Sequence, residues 1–137
     1  MQARIGALLL AAALSALPAR AQDDVPGRVI GPAAFEALTT GRTLTFALGG
    51  AYYGAEQYLA ERKVIWRLGD GGCIGGEWYG RGEDICFVYD AVAGVQCWRF
   101  TRRGGRIHAS SLSGDLDLEA VGSTERPLAC PGPDMGV

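Results

Sequence analysis

Ile85-Cys86-Phe87-Val88-Tyr89-Asp90-Ala91-Val92-Ala93-Gly94-Val95-Gln96-Cys97-Trp98-Arg99-Phe100 is the stretch on which the fold turns. Ile85–Asp90 and Val95–Phe100 are rich in aromatic and β-branched residues, the composition that fits a pleated, half-buried sheet. A four-residue loop at Asp90–Ala93 folds them into an antiparallel hairpin with Cys86 directly opposite Cys97. Side chains alternate with period two, so both sulfurs then point to one face. Sliding one strand by two residues keeps the face but makes the pair diagonal, which strains a disulfide. The chain has four cysteines. Four cysteines allow three pairings, and sequence alone does not choose among them. Strand geometry favours Cys86–Cys97, which leaves Cys73–Cys130 to tie the C-terminal tail to an earlier turn. No pair has C-x-x-C spacing and His108 is the sole histidine. Two disulfides are therefore a better reading than a zinc site or a redox dithiol, and no metal is expected.

Outward from the hairpin the strand pattern continues. Thr43–Leu48 is rich in β-formers, and Tyr52–Leu59 is aromatic but interrupted by Gly54. Lys63–Leu68 alternates cleanly, with Val64, Trp66 and Leu68 on one face. Gly69–Gly72 and Gly80–Asp84 are turn signals around a strand at Ile74–Tyr79. On that strand Ile74, Gly76 and Trp78 share one face, and Glu77 and Tyr79 the other. Arg106–Leu112 follows Gly104-Gly105, and then Leu116, Leu118 and Ala120 alternate with Asp115, Asp117 and Glu119. Before all of these, Pro32–Leu38 reads as a short helix with Pro at its first turn, too short to be stable unless it docks. The expected fold is all-β and mainly antiparallel. It is an up-and-down meander of about seven or eight strands that curls into a small barrel or half-barrel, with one short N-terminal helix. A two-sheet sandwich is the alternative.

The first residues predict an address. Arg4 precedes an apolar run at Ile5–Leu17, and Ala19-Arg20-Ala21 is a small-x-small cleavage site. This is the layout of a secretory signal peptide over residues 1–21, with a mature chain from Gln22. The run is shorter than the ~20 residues that span a bilayer. The rest divides into a flexible lead-in at 22–31, one β domain at 32–125, and a Pro/Gly-rich tail at 126–137 held by Cys130. Loss of Arg4 and Arg20 with the signal leaves eleven basic against fifteen acidic residues, a net charge of about −4. That balance speaks against a nucleic-acid partner. The local cluster of Arg102, Arg103 and Arg106 around Gly104-Gly105 reads as a solvated turn. The expectation is a monomeric periplasmic or secreted protein with no transmembrane segment in the mature chain.

No catalytic constellation stands out. His108 shares a strand face with Ser110, which is a weak basis for a nucleophile and base. The glycines of Gly69–Gly76 lack the following helix and the Lys-Ser/Thr of a phosphate-binding loop. Asp115, Asp117 and Glu119 read as the wet face of an amphipathic strand rather than a cation site. The aromatics remain. Trp66, Trp78 and Trp98 fall on successive strands, with Tyr79, Phe87 and Tyr89 among them. They either fill a core or line a barrel mouth. The candidate binding residues are Trp66, Trp78, Tyr79, Tyr89, Trp98 and Arg99.

Gly41-Arg42-Thr43-Leu44, Tyr53-Gly54, Glu56-Gln57-Tyr58-Leu59, Val64-Ile65-Trp66, Cys73, Gly76-Glu77-Trp78-Tyr79, Ile85-Cys86-Phe87-Val88-Tyr89 and Gln96-Cys97-Trp98-Arg99-Phe100 together form a pattern. With it, the chain resembles a small exported Gram-negative bacterial family of unknown function over residues 36–112. The resemblance implies a small antiparallel β fold with a hairpin disulfide, and no established reaction. The Gly76-Glu77-Trp78 element is also similar to one in lipocalin-like barrels, although there it opens the first strand. The leading functional expectation is a non-enzymatic binding or inhibitor-like module acting on a protein or cell-envelope partner, without a cofactor. The alternatives are a small apolar-ligand carrier with a lipocalin-like cavity and a hydrolase using His108.

Overall fold

In a computed structural model that describes residues 27–131, alternation has produced one closed barrel. The signal peptide expected at 1–21 and the last residues of the tail lie outside the described residues. A two-residue strand β1 (Arg28–Val29) and the helix α1 (Pro32–Thr39) come first. Then come β2 (Thr43–Leu48), β3 (Ala51–Tyr58), β4 (Lys63–Leu68), β5 (Cys73–Arg81), β6 (Asp84–Tyr89), β7 (Gln96–Arg103), β8 (Arg106–Ser111) and β9 (Asp117–Thr124). Strands β2 to β9 pair antiparallel in chain order, and β9 pairs back onto β2. The result is an eight-stranded up-and-down barrel with one short helix, as the alternation predicts. Closure gives each of these strands a neighbour on both sides.

The decisive hairpin has the expected register. Ile85 faces Trp98, Cys86 faces Cys97 and Phe87 faces Gln96. The Cys86–Cys97 bridge spans a Cα–Cα distance of 4.0 Å on the outer wall. The loop is longer than the four residues expected, because β6 stops at Tyr89 and β7 starts at Gln96. Only the first part of β7 pairs with β6, so the rest of that edge is open. β1 fills it: Arg28 faces Arg102, Val29 faces Thr101, and the Ile30 N–H donates to the Phe100 carbonyl at 2.8 Å. Part of the segment read as a loose lead-in is thus a strand, held because Ile30 buries its side chain in the core.

An up-and-down barrel sorts its connections by end. The loops at 49–50, 69–72, 90–95 and 112–116 lie at one end, and the turns at 60–62, 82–83 and 104–105 lie at the other with α1. α1 closes that second end. Phe35 is fully buried and points inward, 5.4 Å from the Tyr58 ring, 5.0 Å from Trp78 and 4.5 Å from Phe100 between centroids. Pro32 packs where a Cβ on Gly80 would stand, so a bare position in β5 lets the helix approach. Arg62 seals the outside of this plug, 4.6 Å above the Trp78 ring and 3.1 Å from the Glu36 carboxylate of α1. Removing the Phe35 ring would leave a large hole, and such truncations cost about 3–5 kcal/mol.

The second disulfide, Cys73–Cys130, belongs to an ordered strap rather than a loose tail. After β9 the chain crosses the outer wall. Thr43 Oγ1 on β2 donates to the Arg126 carbonyl at 2.7 Å, and the Leu128 N–H donates to Gln57 Oε1 on β3 at 3.0 Å. Arg67 on β4 donates to the Ala129 carbonyl at 3.3 Å, and Cys73 on β5 completes the crossing. Thr43, Ala55 and Ile65 point outward from these strands and are nonetheless buried beneath it.

Two tests follow from this architecture. The bridges enclose sequence separations of 11 and 57 residues. Loop-closure entropy then assigns about 3 kcal/mol to Cys86–Cys97 and about 4 kcal/mol to Cys73–Cys130. Denaturant unfolding of the two double-serine variants should show the larger loss for the strap bridge, and the reverse order would refute this ranking. Phe35→Ala should be destabilised by about 3–5 kcal/mol in the same assay. A loss below about 1 kcal/mol would show that the helix is not the plug.

Candidate functional site

The barrel is filled at the helix end and hollow at the other. Above a layer formed by Tyr58, Phe87 and Phe100 lies an open-ended cavity of about 290 Å³. Its wall includes Phe46, Tyr53, Trp66, Ile74, Tyr89 and Trp98. The period-two alternation explains why they meet. Trp66 on β4, Ile74 on β5, Tyr89 on β6 and Trp98 on β7 all hold inward positions of their strands.

Glu56 on β3 is the one ionisable carboxylate on this wall, and it is 3% exposed. It faces Trp66 across the β3–β4 ladder and Leu44 across the β2–β3 ladder. Tyr89 Oη donates a hydrogen bond to Glu56 Oε2 from three strands away. Two glycines permit this. A Cβ on Gly76 would stand 2.8 Å from Tyr89 Cδ1 and 2.6 Å from the Val88 carbonyl, so the Tyr89 ring lies across a bare patch of β5 to reach the acid. A Cβ on Gly54 would stand 2.5 Å from the Trp66 indole, which in the same way lies over β3. Any side chain at either position would displace the aromatic that shapes the cavity.

Burial dominates the chemistry of Glu56. Desolvation of the ionised form pushes its pKa up from 4.5 to about 7, opposed by the hydrogen bonds of Tyr89 and Tyr58. Burial, and then the charge of Glu56, push both phenols upward as well, so they remain neutral donors. A carboxylate offers about four lone-pair sites, and two phenols occupy at most two. The remaining acceptor capacity can serve a guest.

The candidate residues read from sequence do not form one group. Trp66, Tyr89 and Trp98 line the cavity. Trp78 is buried at the plugged end against Phe35. Tyr79 lies on the outer wall, 39% exposed, as its strand phase requires. Arg99 also faces outward, with Nε 2.6 Å from Asp84 Oδ1 and a guanidinium nitrogen 3.9 Å from Glu83. Sequence reasoning did not select Glu56, Tyr58 or Tyr53. The available signal was a single acid in the same phase as Gly54 and Tyr58 on an otherwise aromatic strand.

The His108 face is occupied by ion pairs. His108 Nε2 lies 4.0 Å from Glu119, and Glu119 also pairs with Arg106. The Ser110 hydroxyl donates to Asp117 Oδ1 at 3.2 Å, and Asp117 lies 3.6 Å from Arg103. Ser110 is therefore bonded to an acid rather than to His108. Asp117 and Glu119 are the solvated face expected of them, with Asp115 outside the strand. Among the described residues no group of three His, Cys, Asp or Glu side chains is placed to hold a metal ion. No family model, curated protein or solved structure matches the chain.

A buried acid with a raised pKa has a definite signature. The folded state holds its proton more tightly than the unfolded chain. Its contribution is therefore favourable below pH 4.5 and is lost as pH rises to about 7. The difference corresponds to about 3 kcal/mol. Measured by urea unfolding from pH 4 to pH 8, Glu56→Gln should gain about that much relative to the native sequence. A difference that does not change with pH would show that Glu56 titrates in the folded protein as it does in the unfolded chain.

Proposed function

We propose that this protein is a non-enzymatic carrier that takes a small, largely apolar ligand into the open end of its barrel. The observation behind this reading is the aromatic-walled cavity of about 290 Å³ with a single buried carboxylate on its wall. Predominantly apolar concavities with a few placed polar groups are the usual form of small-molecule sites. At ordinary packing density the volume suits a ligand of on the order of ten to fifteen non-hydrogen atoms. An acid held near pKa 7 in an apolar wall costs stability, and a ligand contact is a reason to keep it.

The rim supports the same reading. Leu48, Tyr52, Leu68, Val92, Val95 and Leu112 flank the four loops at the open end, and each is at least 39% exposed. This apolar ring surrounds the mouth through which such a ligand would pass. By contrast, the apolar residues exposed on β5 and β6 are Tyr79 and Val88, a small patch beside the Arg99–Asp84 pair. The interior thus favours a ligand over the inhibitor-like contact with a protein or envelope partner that the sequence first suggests. Two disulfides fit an oxidising compartment. We therefore place the carrier outside the cytoplasm, exported by the signal at 1–21.

Naphthalene is a neutral probe of suitable size. It should bind saturably at one site, quench tryptophan emission and raise the thermal midpoint with concentration. Ile74→Trp narrows the cavity and should weaken binding by roughly tenfold or more. A folded, disulfide-bonded protein that shows no saturable binding would end this reading.

A further inference from the structure

The carrier reading leaves open which polar group of a ligand belongs beside Glu56, and the surroundings of the acid answer it. We propose that the cavity receives an organic ammonium ion, a monoamine whose charged head meets the Glu56 carboxylate while its aryl or alkyl body lies against Trp66, Trp98 and Phe87. This inference rests on the ligand-binding reading above and specifies its substrate class.

Three independent features point to a cation. First, the carboxylate accepts from Tyr89 but keeps unfilled lone pairs in a wall that otherwise offers few polar partners. A bound ammonium supplies both the missing donors and the compensating charge that a buried acid needs. Second, Trp66 is directly opposite Glu56 on the neighbouring strand, so a cation at the acid also meets an indole. Indole is the strongest of the side-chain cation–π partners. Third, the four loops around the mouth contain Asp70, Asp90 and Asp115 and no Lys, Arg or His. Arg67, 3.9 Å from Asp70, is turned along the outer wall to the carbonyls of Gly71 and Ala129. Such a mouth attracts cations and repels anions. A carboxylate ligand would place like charges together in an apolar site, and a neutral alcohol would gain neither charge term.

The pH dependence has a defined sign. Tyr58 on the same strand and Tyr89 from β6 are the titratable groups facing Glu56, and the paired neighbours Leu44 and Trp66 do not titrate. Both phenols stay neutral, so among these three facing groups Glu56 is the one that changes charge from pH 5 to pH 8. An alkylammonium remains charged over that range. Its affinity therefore rises with pH as Glu56 ionises.

The test compares 4-phenylbutylamine, 4-phenylbutan-1-ol and 4-phenylbutyrate by calorimetry on the full disulfide-bonded chain. At pH 8 the amine should bind roughly tenfold or more tighter than the alcohol, and the acid should bind more weakly than either. Amine affinity should climb roughly tenfold or more from pH 5 to pH 8 while alcohol affinity stays level. In Glu56→Gln the ratio of amine to alcohol affinity should fall to about one. Should that variant misfold, the pH series on the native sequence decides alone. Equal binding of amine and alcohol, or an amine preference that survives Glu56→Gln, overturns the inference. If naphthalene binds and the amine does not, the ammonium assignment falls and the carrier reading stands. If naphthalene fails as well, both fall.

Discussion

The Phe35 ring inside the barrel is the contact on which the other features depend. An eight-residue helix has little stability of its own. It persists here because one side chain meets aromatic rings from β3, β5, β6 and β7. The consequence reaches beyond the helix. An eight-stranded barrel is just wide enough either to fill with side chains or to hold one small ligand. By filling one end, Phe35 sets the layer of Tyr58, Phe87 and Phe100 as a floor, and the space above becomes a cup with a single opening. Without that floor, Glu56 would stand in a water-accessible tube and its chemistry would be that of a surface acid.

The cup is built at a cost to stability. Glu56 sits where a leucine would be the ordinary choice, and Gly54 and Gly76 occupy positions where a strand prefers a side chain. Each departure serves the same geometry. Gly54 makes room for the Trp66 indole, and Gly76 makes room for the ring that brings the Tyr89 hydroxyl to the acid. These three departures meet at the cavity, as expected of a site rather than of scattered imperfect packing.

Much of the barrel is legible in the sequence, because antiparallel strands with one wet face announce their phase. Lys63–Leu68 alternates without interruption, and Val64, Trp66 and Leu68 do face inward together. The Cys86–Cys97 pairing is readable because a disulfide tolerates one register and not its neighbours. The Glu56–Tyr89 pair is not readable in this way. The two residues are 33 positions apart and meet only through the tilt and stagger of a closed barrel, which no local pattern encodes. The phase of Glu56 is itself obscured, since the β2–β3 register shifts at Phe46/Ala47 and Tyr53 reaches the cavity out of turn. β1 escapes notice for a simpler reason: two residues are too few to show a period. Trp78, Tyr79 and Arg99 look like companions of Trp66 in a list of aromatic and charged strand residues. The phases of Tyr79 and Arg99 send them to the outer wall, and Trp78, inward like Ile74 and Gly76, stands farther along β5 at the plugged end.

The covalent links bear on how firmly the cup is held. Binding a small ligand is strongest when its wall is already in place, because ordering costs are then not charged to the complex. The strap fastens β2, β3, β4 and β5 from outside through Thr43, Gln57, Arg67 and Cys73. Those strands carry Glu56, Trp66, Ile74, Gly54 and Gly76 on the inside. The hairpin bridge fastens β6 to β7, which carry Tyr89 and Trp98. Each side of the acid–phenol contact is therefore on a braced wall, and the contact itself spans the two braced groups. The disulfides do more than compensate for a small core. Each braces one side of the cavity, and the Tyr89 hydroxyl reaches Glu56 across the space between the two braced sides.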